Sequence, residues 1–485
     1  MNSIEYPTVR WSRELPDHPA VIVGGRSVPY SEFENLICAA AVGLRRRGIS
    51  PGDRVIVSAA NSLEWIIVIH ALARLGAVLV PLSTRTIANQ ASQYRLTYTP
   101  KLILVDTNTA SIWLDSVLLS RSISNLAGDL TSIPSDIDAD QLFAIVQTSG
   151  SEGEPKAVCL AYRHHLASAF ASALNLGVQP EDRWLLNLPL DRIGGLAIVM
   201  RAAIYGTTVV VHDRFDAAAT WQSMRADRIT QLSLVATTLR RLLDAAPDQR
   251  CPAQVRTIMV GGGPVPTALI DEARERGFPI LPTYGLTETS SQIATLAPSA
   301  PESKRHTAGT PLALVEVEIR DDAHCAVPAG SEGRIYVRGP MVSESYWTMD
   351  GTQTTSLDAE EWFHTNDVGS LDAEGCLTVR GRVDNVIISG GEKIHAEEIE
   401  STLALCDAID QSLVIGVDDP DWGQSLLACV VMKPGHQMDQ TGLRAFLSDH
   451  LPKYKIPRRI EFTDQIPTLP SGKPDRQALR RLHST

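Results

Sequence analysis

Leu142-Phe143-Ala144-Ile145-Val146-Gln147-Thr148-Ser149-Gly150-Ser151-Glu152-Gly153-Glu154-Pro155-Lys156 passes from an apolar run into a loop of small and hydroxyl residues closed by a lysine. The run 142–147 reads as a buried strand. Apolar sequence resumes at Ala157-Val158-Cys159-Leu160. Glycines let the backbone approach an anion, and successive N–H groups can form an anion-binding nest. Hydroxyls add donors and Lys156 adds a point charge. The stretch is therefore either a phosphate cradle or an ordinary surface turn, since Gly, Ser and Pro also mark loops. It is not a Walker A loop: Gly150 and Gly153 are too close, and Ala157 follows the lysine. It is not a Gly-x-Ser-x-Gly nucleophile elbow either.

Helices and short apolar strands alternate on both sides of this loop. A strand pair is expected around Gly24-Gly25. Ser31 is expected to cap a helix, with Glu34 completing a capping box and Gly48 ending it. The strand 55–57, a helix from Ser62 to Leu75 closed by Gly76, and strands at 78–80 and 102–105 follow. Residues 107–140, rich in Ser, Thr and Asp, read as a connection. Beyond the loop, helices near 162–175, 194–204, 217–227 and 237–245 alternate with strands near 183–188, 207–212, 232–235 and 255–260. Such alternation implies parallel sheets with covered faces. From about 307 short alternating strands suggest an antiparallel β subdomain, and the tail reads as a small α+β unit.

The net charge is −12, which argues against a nucleic-acid partner held by backbone electrostatics. Seven scattered cysteines contain no Cys-x2-Cys pair, so neither a zinc site nor a disulfide framework is indicated. Such a set suits a reducing cytoplasm. No secretory leader is legible at the first residues, and the most apolar windows are broken by charges such as Arg74 and Arg201, so no integral membrane segment is expected.

Five further stretches place polar residues at strand ends: Tyr284-Gly285-Leu286-Thr287-Glu288, Trp362-Phe363-His364-Thr365-Asn366-Asp367, Gly381-Arg382-Val383-Asp384, Ser389-Gly390-Gly391-Glu392-Lys393-Ile394 and Pro470-Ser471-Gly472-Lys473-Pro474-Asp475-Arg476. Together with the opening loop, in this order and spacing, they resemble the adenylate-forming superfamily of acyl-CoA synthetases, peptide-synthetase adenylation domains and luciferases, from about Tyr30 to Arg476. The resemblance implies an α/β fold: a large N-terminal domain (1–381) of parallel and mixed sheets flanked by helices plus a β subdomain, a hinge at 382–384, and a small mobile α+β C-terminal domain (385–485).

It also implies roles. Thr148, Ser149, Gly150, Ser151, Gly153 and Lys156 would hold the β- and γ-phosphates of ATP. Tyr284 and Gly285 would lie against adenine, with Gly261, Gly262 and Gly263 letting the base approach backbone. Thr287 would meet the α-phosphate. Glu288, a carboxylate among phosphates, makes sense with Mg2+ between them. Asp367 would accept hydrogen bonds from the ribose hydroxyls, with Arg382 as a second contact. Lys473 would sit where negative charge develops in the first step. Asp384 would be the hinge, and Ser389, Gly390 and Gly391 would line the CoA tunnel after the C-terminal domain turns.

The nearest resemblance is to o-succinylbenzoate–CoA ligases of menaquinone biosynthesis, carried by Leu188-Pro189-Leu190, Gly195-Leu196 and Met200 to Val211. Their substrate carries two carboxylates, so one needs a partner. Arg201 in its apolar helix is one candidate, and Arg192, with Gly195 beside it, is another. The chain departs from the family in Asp191-Arg192, where an aromatic residue and histidine are usual, in Glu152 for threonine, in Ala157 for glycine, and in Asn366 for glycine. Asp191 leaves open an amino-acid substrate loaded onto a carrier protein; another aryl- or acyl-CoA ligase is the remaining alternative. The partners implied are a small carboxylic acid, ATP and CoA, and the resemblance allows a homodimer.

Overall fold

A computed structural model describes residues 3–113, 115–120, 129–148, 156–468 and 474–483. Two eight-stranded sheets form the larger part of the molecule. Across the first, the strands run 353–355, 345–347, 156–161, 142–148, 78–81, 54–58, 102–105 and 117–118. Its inner strands are parallel and the pairs involving 156–161 antiparallel. Across the second they run 291–295, 280–286, 257–260, 231–234, 183–186, 208–211, 19–23 and 26–29. It is parallel except at both edges. Val55, Ile56 and Val57 are all fully buried, as expected of a parallel strand covered on both faces.

Helices lie between the two sheets. One apolar cluster joins Val55, Val57 and Leu79 of the first sheet to Trp184, Leu186 and Val209 of the second through residues of the helices Tyr30–Arg46, Leu63–Leu75 and Ile193–Tyr205. The helix Leu63–Leu75 is buried all along from Trp65, so its starts and stops must be built in. Ser62 accepts from the Trp65 N–H at one end, and Gly76 takes φ 65° at the other.

The capping box expected at Ser31 and Glu34 does not form. The helix begins at Tyr30 after Pro29, with no side-chain cap. Glu34 instead accepts from Thr8 Oγ1 at 2.6 Å and forms a buried ion pair with Arg74. A carboxylate that far inside the core is worth more against a buried guanidinium than as a cap.

A four-stranded antiparallel sheet (316–320, 333–338, 363–371, 377–382) packs beside the second large sheet. The C-terminal sheet orders strands 392–395, 386–389, 423–432 and 409–419, and 459–462 adds a parallel strand on 423–432. Helices Ala396–Leu403 and Gln440–Ser448 join one of its apolar clusters, and Arg476–His483 the other. The 107–140 connection is not structureless: Val117–Leu118 adds an edge strand, and Asp136–Asp138 pairs with Ser3–Glu5. Among the described residues no helix is long and apolar enough to cross a membrane.

Candidate active site

The strands Leu142–Thr148 and Lys156–Ala161 pair antiparallel, with Thr148 opposite Lys156. The opening loop is thus the connection of a hairpin. Ser149, Gly150, Ser151, Glu152 and Gly153 lie outside the described residues, as does Lys473. Lys156 leaves the hairpin with its ammonium 5.5 Å from the centre of the Tyr346 ring. Tyr346 comes from the neighbouring strand Ser345–Trp347, opposite Val158. Its phenol donates to Glu288 Oε1 at 3.1 Å. Tyr346 therefore links the loop lysine to the carboxylate read as a metal ligand. Nothing in the motif reading singled it out, because its partner lies 58 residues away.

Thr287 and Glu288 occupy the turn 287–290 between strands Ile280–Leu286 and Ser291–Thr295. Ser290 takes φ 52° there. A Cβ on Gly285 would lie 2.0 Å from the Ser291 carbonyl oxygen, so the hairpin closes only with glycine at 285. Glu288 is buried. Among the described residues no lysine or arginine forms an ion pair with it; its hydrogen bond comes from a neutral phenol. A buried carboxylate without a cation of the chain is costly, and a hard divalent ion is the partner that suits it. The residues present fit Mg2+ held by Glu288 together with phosphate oxygens.

Asp367 and Arg382 face each other across strands Phe363–Leu371 and Leu377–Arg382. Pairing with strand Gly333–Arg338 slips at this point, and Asn366 sits in the slip at φ 61°. Such a bulge re-aims side chains. Here it turns Asp367 onto the phenol of Tyr284, which donates to Oδ2 at 2.5 Å. Arg382 lies 3.4 Å from the other carboxylate oxygen. Burial pushes the Asp367 carboxyl up to about 6 although Arg382 opposes the shift. Burial, and then the Asp367 charge, push the Tyr284 phenol well above its ordinary value. Gly261 follows the strand Thr257–Val260, and a Cβ there would lie 2.6 Å from the Thr283 carbonyl oxygen. Gly262, at φ 76°, and Gly263 are exposed beyond it. Backbone is thus offered on one side of the Tyr284 strand.

Arg192 and Asp191 pair with each other at 3.4 Å. Gly195, in the first turn of helix Ile193–Tyr205, leaves no room for a side chain: a Cβ would lie 2.2 Å from the Pro189 carbonyl oxygen. Arg201 on the same helix is 2% exposed. It donates to Ser168 Oγ at 3.0 Å and Gln292 Oε1 at 3.3 Å, while its buried Nε has no partner. Both partners are neutral. Ser168 in turn donates to the carbonyl of Ser290, in the turn that carries Thr287 and Glu288. The guanidinium therefore stands two hydrogen bonds from that turn. The histidine next to Ser168's helical turn, His165, is buried and pushed down to about 3 by desolvation, so it stays neutral and brings no charge.

In the C-terminal sheet Ser389, Gly390 and Gly391 make the turn between strands Val386–Ser389 and Glu392–His395. Gly390 and Gly391 have φ 59° and 88°, in the left-handed region that favours glycine, and a Cβ at Gly390 would lie 2.4 Å from the Trp422 ring. Asp384 lies in the single helical turn Val383–Asn385 that connects the four-stranded sheet to the C-terminal sheet.

Residues 9–347 match the AMP-binding enzyme family and residues 398–473 the AMP-binding enzyme C-terminal domain. The chain is 36% identical over 472 residues to a 2-succinylbenzoate–CoA ligase of Geobacillus kaustophilus, covering 96% of this chain and 95% of that one. Among solved structures it is similar to the o-succinylbenzoate CoA synthetase of Bacillus subtilis. With the acyl-adenylate intermediate bound, that enzyme superposes with a TM-score of 0.91 at 32% identity, covering 99% of both chains. With ATP and magnesium ion the TM-score is 0.89 at 32% identity and 99% coverage of both. For a double mutant with a product analogue bound it is 0.74, again at 32% identity and 99% coverage of both.

Proposed function

We propose, for a chain that belongs to the AMP-binding enzyme family, that it is an ATP-dependent acid–thiol ligase joining o-succinylbenzoate to CoA through an acyl-adenylate, in menaquinone biosynthesis. The observation that carries the choice of acid is Arg201, a buried cation whose partners are all neutral. A dicarboxylate supplies the missing anion with one carboxylate and reacts through the other. Arg201 stands two hydrogen bonds from the Ser290 turn, through Ser168, which supports a reacting end near Thr287 and Glu288.

The roles proposed are those the resemblance implies, and the geometry supports them. Lys156, with the loop before it, binds the outer phosphates. Glu288 would hold Mg2+, which when bound would supply charge neutralisation to the phosphates. Tyr284 packs its ring against adenine while its phenol pins Asp367. Asp367 accepts from the ribose hydroxyls, and Arg382 keeps that carboxylate paired. The acid's carboxylate oxygen attacks the α-phosphorus, the bond to pyrophosphate breaks, and Thr287 orients the α-phosphate. The CoA sulfur then attacks the acyl carbon and AMP leaves, with Ser389, Gly390 and Gly391 beside the pantetheine. The hinge at Asp384 divides the chain into 1–381 and 385–485 for this second step. The seven free cysteines suit the cytoplasm as its location.

An amino-acid substrate would need a free carboxylate for its ammonium, and Asp191 already has Arg192. Pyrophosphate release with a panel of acids, with and without CoA, tests the reading. Release is expected with o-succinylbenzoate, with thioester formed only when CoA is present. Preference for an amino acid without CoA would replace it with carrier loading.

Asp367 adds a pH dependence. Ribose binding uses the ionised carboxylate, and its folded value is about 6. The KM for ATP is expected to be flat above pH 6 and to rise below it, by roughly tenfold per unit at most. Stability runs the other way. Because the folded value is raised, the fold favours the protonated form. That contribution is full below the ordinary carboxyl value and is lost as pH rises through about 6. A KM for ATP that stays constant through pH 6 would remove Asp367 from ribose binding.

A further inference from the structure

We infer that Asn366 is a positioning residue that latches the hinge in the arrangement used for adenylation. Asn366 Nδ2 donates to Asp384 Oδ2 at 2.6 Å, across 18 residues of chain. Asn366 belongs to the strand that carries Asp367, and Asp384 to the single turn between the four-stranded and C-terminal sheets. On its other side, Arg480 of the terminal helix donates to the Asp384 carbonyl at 2.9 Å. The hinge residue is thus gripped by its side chain from one sheet and by its backbone from the helix that follows the Lys473 stretch. Rotation of the chain at Asp384 carries that carboxylate away from Asn366 and breaks the first bond.

The backbone explains why asparagine can do this. At φ 61° most side chains are strained, while Asn and Gly are tolerated. Glycine at this position satisfies the bulge and holds nothing. Asparagine satisfies the same bulge and adds a donor aimed at the hinge. The domain arrangement in which the bond is made superposes on the relative's acyl-adenylate complex with a TM-score of 0.91 and on its product-analogue complex with 0.74. The latch therefore belongs to the first arrangement. An exposed, charge-assisted bond of this kind biases a two-state equilibrium by a few-fold rather than by orders of magnitude.

This rests on the ligase reading for its kinetic consequence but not for its structural one, so the experiment has two arms. Asn366→Gly removes the donor without straining the backbone; Asn366→Asp keeps the shape and sets a second carboxylate against Asp384. In the unliganded protein, hydrogen–deuterium exchange of the amides 383–386 is expected to quicken by about threefold in both variants. Unchanged exchange overturns the latch whatever the protein catalyses. In the second arm, adenylate formation is expected to slow by about threefold, and thioester formation from supplied acyl-adenylate to hold or quicken. An equal fall in both half-reactions marks a merely structural residue and overturns the proposal. Faster exchange in a protein that adenylates no acid keeps the latch and sinks the ligase reading instead.

Discussion

Lys473→Ala is expected to slow adenylate formation by about 10²–10³-fold while thioester formation from supplied acyl-adenylate stays within about threefold of the unaltered protein. Negative charge gathers on the oxygens around the α-phosphorus as the acid attacks. A cation placed there lowers the barrier of this step because it is worth more in the transition state than in the bound ground state. In the thioester step charge develops on the acyl oxygen and on the departing AMP, and the proposed turn of the C-terminal domain takes Lys473 away from both. The flanks of the segment are held by the C-terminal unit. Thr468 and Pro474 are bridged antiparallel. Arg476 is clamped by Glu400 at 2.5–2.6 Å and by the Val414 carbonyl at 2.6 Å. The far end of the segment is therefore fastened to the C-terminal sheet and its helix Ala396–Leu403. Pyrophosphate–ATP exchange reads the first step and thioester yield the second. Equal loss of both would mean that Lys473 supports the fold of its segment rather than the adenylation transition state.

How far the sequence reaches can be judged from particular elements. The helix Leu63–Leu75 was legible to its ends because local chemistry decides both: Ser62 caps it and Gly76 stops it. The helix Ala88–Tyr98 was not. Only Ala91 and Tyr98 are buried, so no apolar period marks it. Ser31 and Glu34 had the spacing of a capping box, but tertiary pairing with Arg74 took the carboxylate. The same division runs through the site. Tyr284, Asp367 and Arg382 were named from motifs, and the structure brings Tyr284 into a hydrogen bond and Arg382 into an ion pair with Asp367. Tyr346 was missed because what makes it matter is a sheet register, Val158 opposite Tyr346, which no local pattern encodes. Asn366 read as a mild departure; its meaning appears only when its side chain is seen on Asp384.

Arg201→Met is expected to separate stability from function. A buried guanidinium without an anion carries a desolvation cost that its two neutral acceptors offset only in part. Methionine fills a similar volume with flexible apolar atoms. The change takes the donor from Gln292 Oε1, while Ser168 keeps its bond to the Ser290 carbonyl and Gln292 Nε2 its bond to Ser172 Oγ. Relief of the buried charge offsets the unpaired amide oxygen, so the melting temperature without ligands is expected to stay within the equivalent of about 1 kcal/mol of the unaltered protein. Activity, by contrast, falls. Removing one partner of a desolvated charge pair costs about 2–5 kcal/mol, so kcat/KM for o-succinylbenzoate is expected to fall by about 10²–10³-fold. An aromatic monocarboxylate, which has nothing for Arg201 to hold, should lose far less, and the KM for ATP should not change. A clear drop in melting temperature, with mono- and dicarboxylic acids losing activity alike, would make Arg201 a structural residue. The acid would then have to be recognised elsewhere, and Arg192 would return as the candidate only if Asp191 could be drawn away from it.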